Sequence, residues 1–426
     1  MKYEQIDMGS YHLHIIKTKK FKTITIEVNF RREVKKEEIT IRNLLKTVLL
    51  STNQNFKTER ELIKETENLY DLKLISSNMR IGNYSNLSFK VRFLNEQYTE
   101  EGMNEYSIAF LMDVLFHPNI ENKQFNKEEV KKCKNKLEKS IQKLTDNKLK
   151  YTLIKLLETT KDKPYSYSSY GNSQDLENIT PASLYEYYLS VLKDDYVDIF
   201  VVGDVDTAEI KNIFKKYFRI NTFNKVKNNI LVEELVPRKR IKKQVEQDNV
   251  NQSQLTALCS LNGLTEFERK YVILVYNEML GGSSNSLLFD TVREKNSYAY
   301  YVNSSGKAYD NILMIYAGIE PGNSENVLKL IRKTMQNINK GNFDNDILEN
   351  SKETIIASIK ASTDSPAGII NTYYAKVLVA SEDFEKRIEN IKKVSKEDVI
   401  NLSKKITMHT VYLLEGNNEE DTDGTD

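Results

Sequence analysis

Metal-binding side chains are scarce in this 426-residue chain: it has four histidines and two cysteines. Cys133 and Cys259 lie far apart, without the spacing of a zinc site or of a disulfide framework, and their scarcity fits a reducing compartment. No run of about 18 apolar residues occurs, so no membrane span is expected. Residues 1–10 carry no apolar segment of the kind an export signal needs. Charge of one sign is also missing: Lys+Arg is 62 and Asp+Glu is 61, a net charge of +1. That balance removes a global electrostatic case for nucleic acid or an anionic membrane. The basic run 131–150 is diluted by Glu138 and Asp146 and preceded by Glu128 and Glu129, and reads as a solvated helix face. The length implies two or more domains, and the expectation is a soluble, cytoplasmic protein.

The four histidines form no metal set. His12 and His14 alternate in an N-terminal strand and read as an exposed face. His117 ends a helix before Pro118, where it can meet the terminal carbonyls, and His409 begins the last strand.

The chain tells one story twice. Residues 23–30 alternate as a strand. Helices follow at 41–51 and 58–70, where Thr58 and Glu61 have capping-box spacing. Strands at 72–79 and 84–94 and a helix at 105–116 complete the first series. The second half repeats the order: strand 253–260, helices 266–280 and 286–293, strands 298–305 and 311–319, helix 324–338. Each half continues into long charged helices, 126–158 and 345–380. Each closes on a capped helix and an apolar strand, at 196–202 and 409–414. Strand runs followed by helix runs argue α+β rather than a parallel βαβ sheet. The reading is two tandem homologous halves, 1–220 and 252–416, each a mostly antiparallel sheet packed by helices. A polar linker, 221–251, joins them, and an acidic tail, 417–426, reads as disordered.

Residues 280–289 read Leu-Gly-Gly-Ser-Ser-Asn-Ser-Leu-Leu-Phe, and Arg293-Glu294-Lys295 precedes Tyr298-Ala299-Tyr300. Gly281-Gly282-Ser283 is no phosphate loop, because no Gly-Lys-Ser/Thr follows. The stretch resembles the second-half signature of the insulinase/pitrilysin-type metallopeptidases. Pro164-Tyr165, Gly171 and Val201-Val202-Gly203-Asp204 resemble first-half signatures of the same family. The resemblance runs from Thr23 to Gly416 and implies two α+β halves forming a clamshell. Active members carry His-x-x-Glu-His on a first-half helix, two zinc ligands and a base for the metal-bound water. That motif is absent. Asn43, Lys46 and Thr47 align with its positions, a set poorly suited to catalytic zinc, and a further Glu ligand would fall near Glu128 or Glu129.

The resemblance also implies roles for Arg293 and Tyr300, which hold the substrate backbone and stabilise the oxyanion in the family. From the residues alone they read equally as a helix-end charge and a strand aromatic. Tyr298 stands where the family has Leu, and Asn296-Ser297 replaces a segment that often ends in Gly. The profile is similar to zinc-motif-less bacterial members found with a zinc-bearing paralogue, one group of which is associated with modification of elongation factor P. It implies no cofactor in this chain, zinc in a homologous partner subunit, and a peptide substrate. The alternative is a non-catalytic scaffold or peptide-binding protein that keeps the fold without the chemistry. An autonomous zinc peptidase is excluded by the ligand count.

Overall fold

The computed structural model describes residues 1–220 and 232–416. Part of the expected linker and all of the acidic tail lie outside the described residues. Through the first half run β1 (Lys2–Asp7), β2 (His12–Lys17), β3 (Thr23–Glu33), α1 (Ile39–Leu49), α2 (Glu59–Asn68), β4 (Lys73–Ile81), β5 (Tyr84–Leu94) and α3 (Met103–Phe116). There follow the two-residue strands β6 (Ile120–Glu121) and β7 (Gln124–Phe125), then α4 (Lys127–Asp146), α5 (Lys148–Glu158), α6 (Ser173–Asn178), α7 (Pro181–Asp194), β8 (Tyr196–Gly203) and α8 (Thr207–Tyr217). The second half holds β9 (Lys242–Asp248), β10 (Ser253–Leu261), α9 (Ile273–Asn277), β11 (Ala299–Lys307), β12 (Ile312–Ile319) and α10 (Ser324–Asn339). It ends with α11 (Asn345–Ser362), α12 (Pro366–Val379), α13 (Phe384–Lys393), α14 (Lys396–Ser403) and β13 (Ile406–Gly416). Helical turns at Glu268–Val272 and Glu278–Gly282 extend α9, and another helical segment spans Phe289–Glu294.

The first sheet has the order β1-β2-β8-β3-β5-β4 and the second β11-β12-β10-β13-β9. Read from opposite ends they share one plan. β2 runs parallel to β8 and β9 parallel to β13, and every other neighbour in both series is antiparallel. β3 and β10 occupy equivalent central places, and β1 is an addition to the first sheet. The equivalent of β2 is β9, which lies inside the stretch that composition alone reads as linker. Its side chains alternate between half-buried and exposed, and its only apolar residue, Val245, is 58% exposed. Ladder hydrogen bonding to β13, not apolar burial, makes it a strand.

Local signals account for many element ends. Thr58 and Glu61 complete the capping box of α2, Thr180 caps α7 ahead of Pro181, and Ser395 with Asp398 caps α14. The long charged helices are each broken. Asn147 caps α5, accepting from Lys150 N–H at 2.9 Å, and Pro366 starts α12. The breaks coincide with an exchange of segments between two compact units. Unit 1 comprises Met1–Lys143, the described part of Ser168–Asn229, and Ser365–Tyr374. Unit 2 comprises Leu144–Tyr167 and the described parts of Ile230–Asp364 and Ala375–Asp426.

In unit 1, Ile24, Ile26, Val28 and Phe30 of β3 point into the apolar core, where Leu44, Leu45 and Val48 of α1 pack with Ile108 and Leu111 of α3. In unit 2, Leu156 of α5 packs with Leu258, Ile312, Tyr412 and Leu414 of the sheet. Both cysteines are buried free thiols, and burial pushes Cys133 up to about 11 and Cys259 to about 12.

Candidate functional site

Helix α1 is where the family chemistry would sit, and it is committed to structure. Asn43 is 1% exposed. Its Nδ2 donates to the carbonyls of Ile39 and Ser169, both at 2.9 Å. Both amide protons are thereby spent on backbone. Thr47 Oγ1 turns back to the Asn43 carbonyl at 3.1 Å. Lys46 is half-buried, and burial lowers its ammonium pKa below the ordinary lysine range. A neutral amide, a helix-bonded hydroxyl and a cation are not the imidazole, thiolate or carboxylate ligands that a zinc ion takes. Glu129 is buried, but its carboxylate faces Lys132 at 3.4 Å and Cys133 Sγ at 3.9 Å; Glu128 is exposed. No group of three or more His, Cys, Asp or Glu able to hold a metal exists among the described residues.

Gly171 fixes the loop that Asn43 grips. It has φ +83, and a Cβ there would come within 2.0 Å of Thr40 Oγ1 and 2.7 Å of Thr40 Cα. The loop therefore touches the α1 backbone where only glycine fits. Next to Asn43, the fully buried Arg42 donates to the Phe30 carbonyl at 2.7 Å and pairs with Asp195 at 2.5 Å. Arg32 meets the other Asp195 oxygen at 2.5 Å.

The histidines correct the sequence reading. His14 is fully buried, not on an exposed face. Its Nε2 lies 3.1 Å from Asp198 Oδ1, its Nδ1 lies 2.9 Å from the Tyr3 hydroxyl, and its ring stacks on Phe200 with centroids 4.4 Å apart. Arg31 bonds the second Asp198 oxygen at 3.3 Å, and His12 pairs with the Tyr196 hydroxyl. The polar face of the first sheet is covered within unit 1 by Ser365–Tyr374: Tyr373 stacks on Tyr3 at 4.5 Å, and Tyr374 donates to Asn86 Oδ1 at 2.9 Å. His117 bonds the Asp113 carboxylate at 2.8 Å through Nδ1, a side-chain partner in place of a terminal carbonyl. His409 lies within β13, 3% exposed, rather than at its start.

In unit 2, Arg293 and Tyr300 stand on consecutive elements. The helical segment Phe289–Glu294 ends in a left-handed turn: Ser297 N–H reaches Arg293 O at 2.9 Å and Tyr298 N–H reaches Val292 O at 3.1 Å. Ser297 takes φ 54, the conformation that glycine adopts freely, which explains why a non-glycine residue here is a departure. The Arg293 side chain is 46% exposed, 3.9 Å from Glu294, and its guanidinium lies 4.7 Å from the Phe289 ring centroid.

β11 then begins with a bulge: Ala299 pairs with Ile319 and Tyr301 with Gly318. Tyr300 is the extra residue and is 56% exposed. A bulge re-aims one side chain out of the strand alternation, and here that side chain is Tyr300. Its hydroxyl makes no hydrogen bond among the described residues, and none joins it to Arg293. The glycines of the motif serve packing. A Cβ on Gly281 would lie 2.7 Å from Ser304 N, and one on Gly282 would lie 2.5 Å from the Glu278 carboxylate. The helix therefore rests directly on β11.

The Peptidase M16 inactive domain matches residues 178–355. The chain is 31% identical to "Probable inactive metalloprotease YmfF" of Bacillus subtilis (strain 168) over 418 residues, covering 96% of both. It is 28% identical over 286 residues to "Uncharacterized zinc protease YmxG" of the same organism, covering 64% of this chain and 66% of that protein. A crystal structure of a conserved protein from Enterococcus faecalis V583 superposes with TM-score 0.91 at 26% identity, over 99% of this chain and 100% of that one. Among the described residues no helix is long and apolar enough to cross a membrane. A first-half helix without zinc chemistry, the match to the Peptidase M16 inactive domain and a relative similar over nearly its whole length agree: the chain belongs to the M16 peptidase family, as an inactive homologue.

Proposed function

We propose that this chain is the zinc-free subunit of a heteromeric M16 peptidase, acting in a reducing, cytoplasmic setting with a homologous zinc-bearing partner. Arg293 and Tyr300 are its contribution: they hold the backbone of a peptide substrate and stabilise the oxyanion in a site whose zinc belongs to the partner. The observation that carries the reading is the bulge at Ala299–Tyr301, which turns Tyr300 out of an otherwise half-buried strand with its hydroxyl uncommitted. A side chain kept only for packing gains nothing from such a bulge. That one organism holds both a zinc protease relative and an inactive relative supports the pairing.

The experiment is reconstitution with a homologue that carries His-x-x-Glu-His, followed by a peptide-cleavage assay. Tyr300→Phe removes one hydroxyl, and Arg293→Lys keeps the charge while losing the fork of donors. Each should lower turnover by about a hundredfold or more, the usual effect of losing one oxyanion donor. Turnover within about twofold for both substitutions in an active complex, under 0.5 kcal/mol of barrier, would end the shared-site reading.

A second reading, a peptide-binding protein without cleavage, is favoured by β4. This strand is an open edge of the first sheet, and its Ile75 and Met79 are 58% and 62% exposed. Unpaired backbone with apolar side chains suits strand addition by an extended peptide. Peptide binding by an assembly that never cleaves would favour it.

A further inference from the structure

The open edge of β4 borders helix α1 along a groove that holds one unanswered charge. β4 and β5 are joined by the two-residue turn Gly82-Asn83 and pair without a register shift. Counted back from that turn, Ile75, Ser77 and Met79 exchange their backbone bonds with β5. The alternate residues Leu74, Ser76 and Asn78 therefore turn their N–H and C=O groups to the free edge. Their side chains lie on the helix-bearing face of the sheet: Leu74 packs against the core of unit 1, and Ser76 Oγ donates to the Lys46 carbonyl at 3.4 Å.

Two features of opposite character follow one another along this groove. Leu50, at the end of α1, lines an apolar cavity of about 780 Å³ with Leu62, Leu72 and Leu74. Lys46, one turn earlier on the same helix, stands at Ser76. It is half-buried, and its ammonium has no ion pair or hydrogen bond among the described residues. Burial lowers its pKa, and no carboxylate offsets that burial. A half-buried cation without a counter-ion costs the folded chain free energy, which an arriving carboxylate would return. Four residues of helix separate the cation from the cavity by about 6 Å, and two residues of strand advance about 6–7 Å. A strand added to β4 thus sets the side chain opposite Leu74 into the cavity and the one opposite Ser76 at Lys46.

We propose that the β4 edge takes an extended peptide segment, antiparallel to β4, with an acidic side chain two positions before an apolar one. The carboxylate meets Lys46, and the apolar side chain packs against Leu50, Leu62, Leu72 and Leu74. The inference rests on the peptide-binding reading of β4 and supplies its specificity: the residue aligned with the family's catalytic glutamate selects for charge on the bound peptide.

Isothermal titration calorimetry on this chain alone tests it, with acetylated, amidated Thr-Val-Thr-Glu-Thr-Leu-Thr-Val and the same peptide carrying Gln in place of Glu. The glutamate peptide should bind about tenfold or more tightly, as expected for a charge-assisted over a neutral hydrogen bond. Lys46→Met keeps the apolar stem and should bring the two peptides within about twofold of each other. Ser76→Pro removes an N–H that faces the free edge while sparing the ladder to β5, and should abolish binding of both. Thermal melting establishes that each variant is folded. Equal binding of the two peptides by the wild type, or an undiminished preference in Lys46→Met, overturns the proposal; loss of that binding in Ser76→Pro would then leave the peptide-binding reading standing. Binding of neither peptide, or binding untouched by Ser76→Pro, overturns both.

Discussion

Replacing Asn43 tests whether the zinc-ligand position has become a structural one. In Asn43→Ala two hydrogen bonds of 2.9 Å are lost from a site 1% exposed. The Ile39 carbonyl is a helix acceptor and retains its i→i+4 partner. The Ser169 carbonyl loses its bond from the Asn43 amide, but Ser169 is exposed and water can replace the donor. Each hydrogen bond lost from the buried amide is worth about 0.5–1.5 kcal/mol net. With the small truncation added, the net loss should be about 2 kcal/mol, or a fall in melting temperature of about 4–8 °C for a unit of this size. Asn43→Asp is nearly isosteric but sets a carboxylate against two carbonyl oxygens, so at pH 7 it should be less stable than the alanine variant. Urea unfolding followed by far-UV circular dichroism gives both values, read as midpoint shifts at constant slope. An alanine variant within about 0.5 kcal/mol of wild type, or an aspartate variant more stable than alanine, would show that Asn43 holds nothing together.

Gly171→Ala should destabilise by about 3 kcal/mol, because the added methyl strains a left-handed backbone and strikes Thr40; an unfolding midpoint equal to wild type would refute that contact. Arg42→Met should cost about 3–5 kcal/mol by leaving Asp195 short of one buried partner, measurable by the same titration. His409 supplies a pH dependence. Burial, then the neighbouring Arg238 and Lys242, push it down to about 4, while the unfolded chain has the ordinary value of about 6.5. Arg238 Nε donates to its Nε2 at 2.9 Å, and Nδ1 meets Thr410 Oγ1 at 2.8 Å, which favours the neutral ring. Between the two pKa values the unfolded state binds the extra proton. The contribution is therefore complete above about pH 6.5 and is lost as pH falls toward 4. His409→Gln should flatten that part of the stability–pH curve, and an unchanged slope would show that another group carries it.

The sequence by itself determined the features that depend on neighbours a few residues away. Alternation of Ile24, Ile26, Val28 and Phe30 named the core face of β3, and Thr58, Thr180 and Ser395 marked helix starts. The repeated order of elements announced the duplication, and the missing His-x-x-Glu-His announced an inactive M16 homologue. Only the tertiary structure decided what covers each face. Periodicity says which residues share a side, so His12 and His14 of β2 looked solvated. In fact His14 is buried, and Asp198 satisfies both His14 and Arg31. β9 was illegible because its stability comes from a ladder with β13, more than 150 residues away in the chain, and not from apolar side chains. The bulge at Tyr300 was likewise invisible, since register is fixed by the partner strand β12 rather than by the residues that bulge.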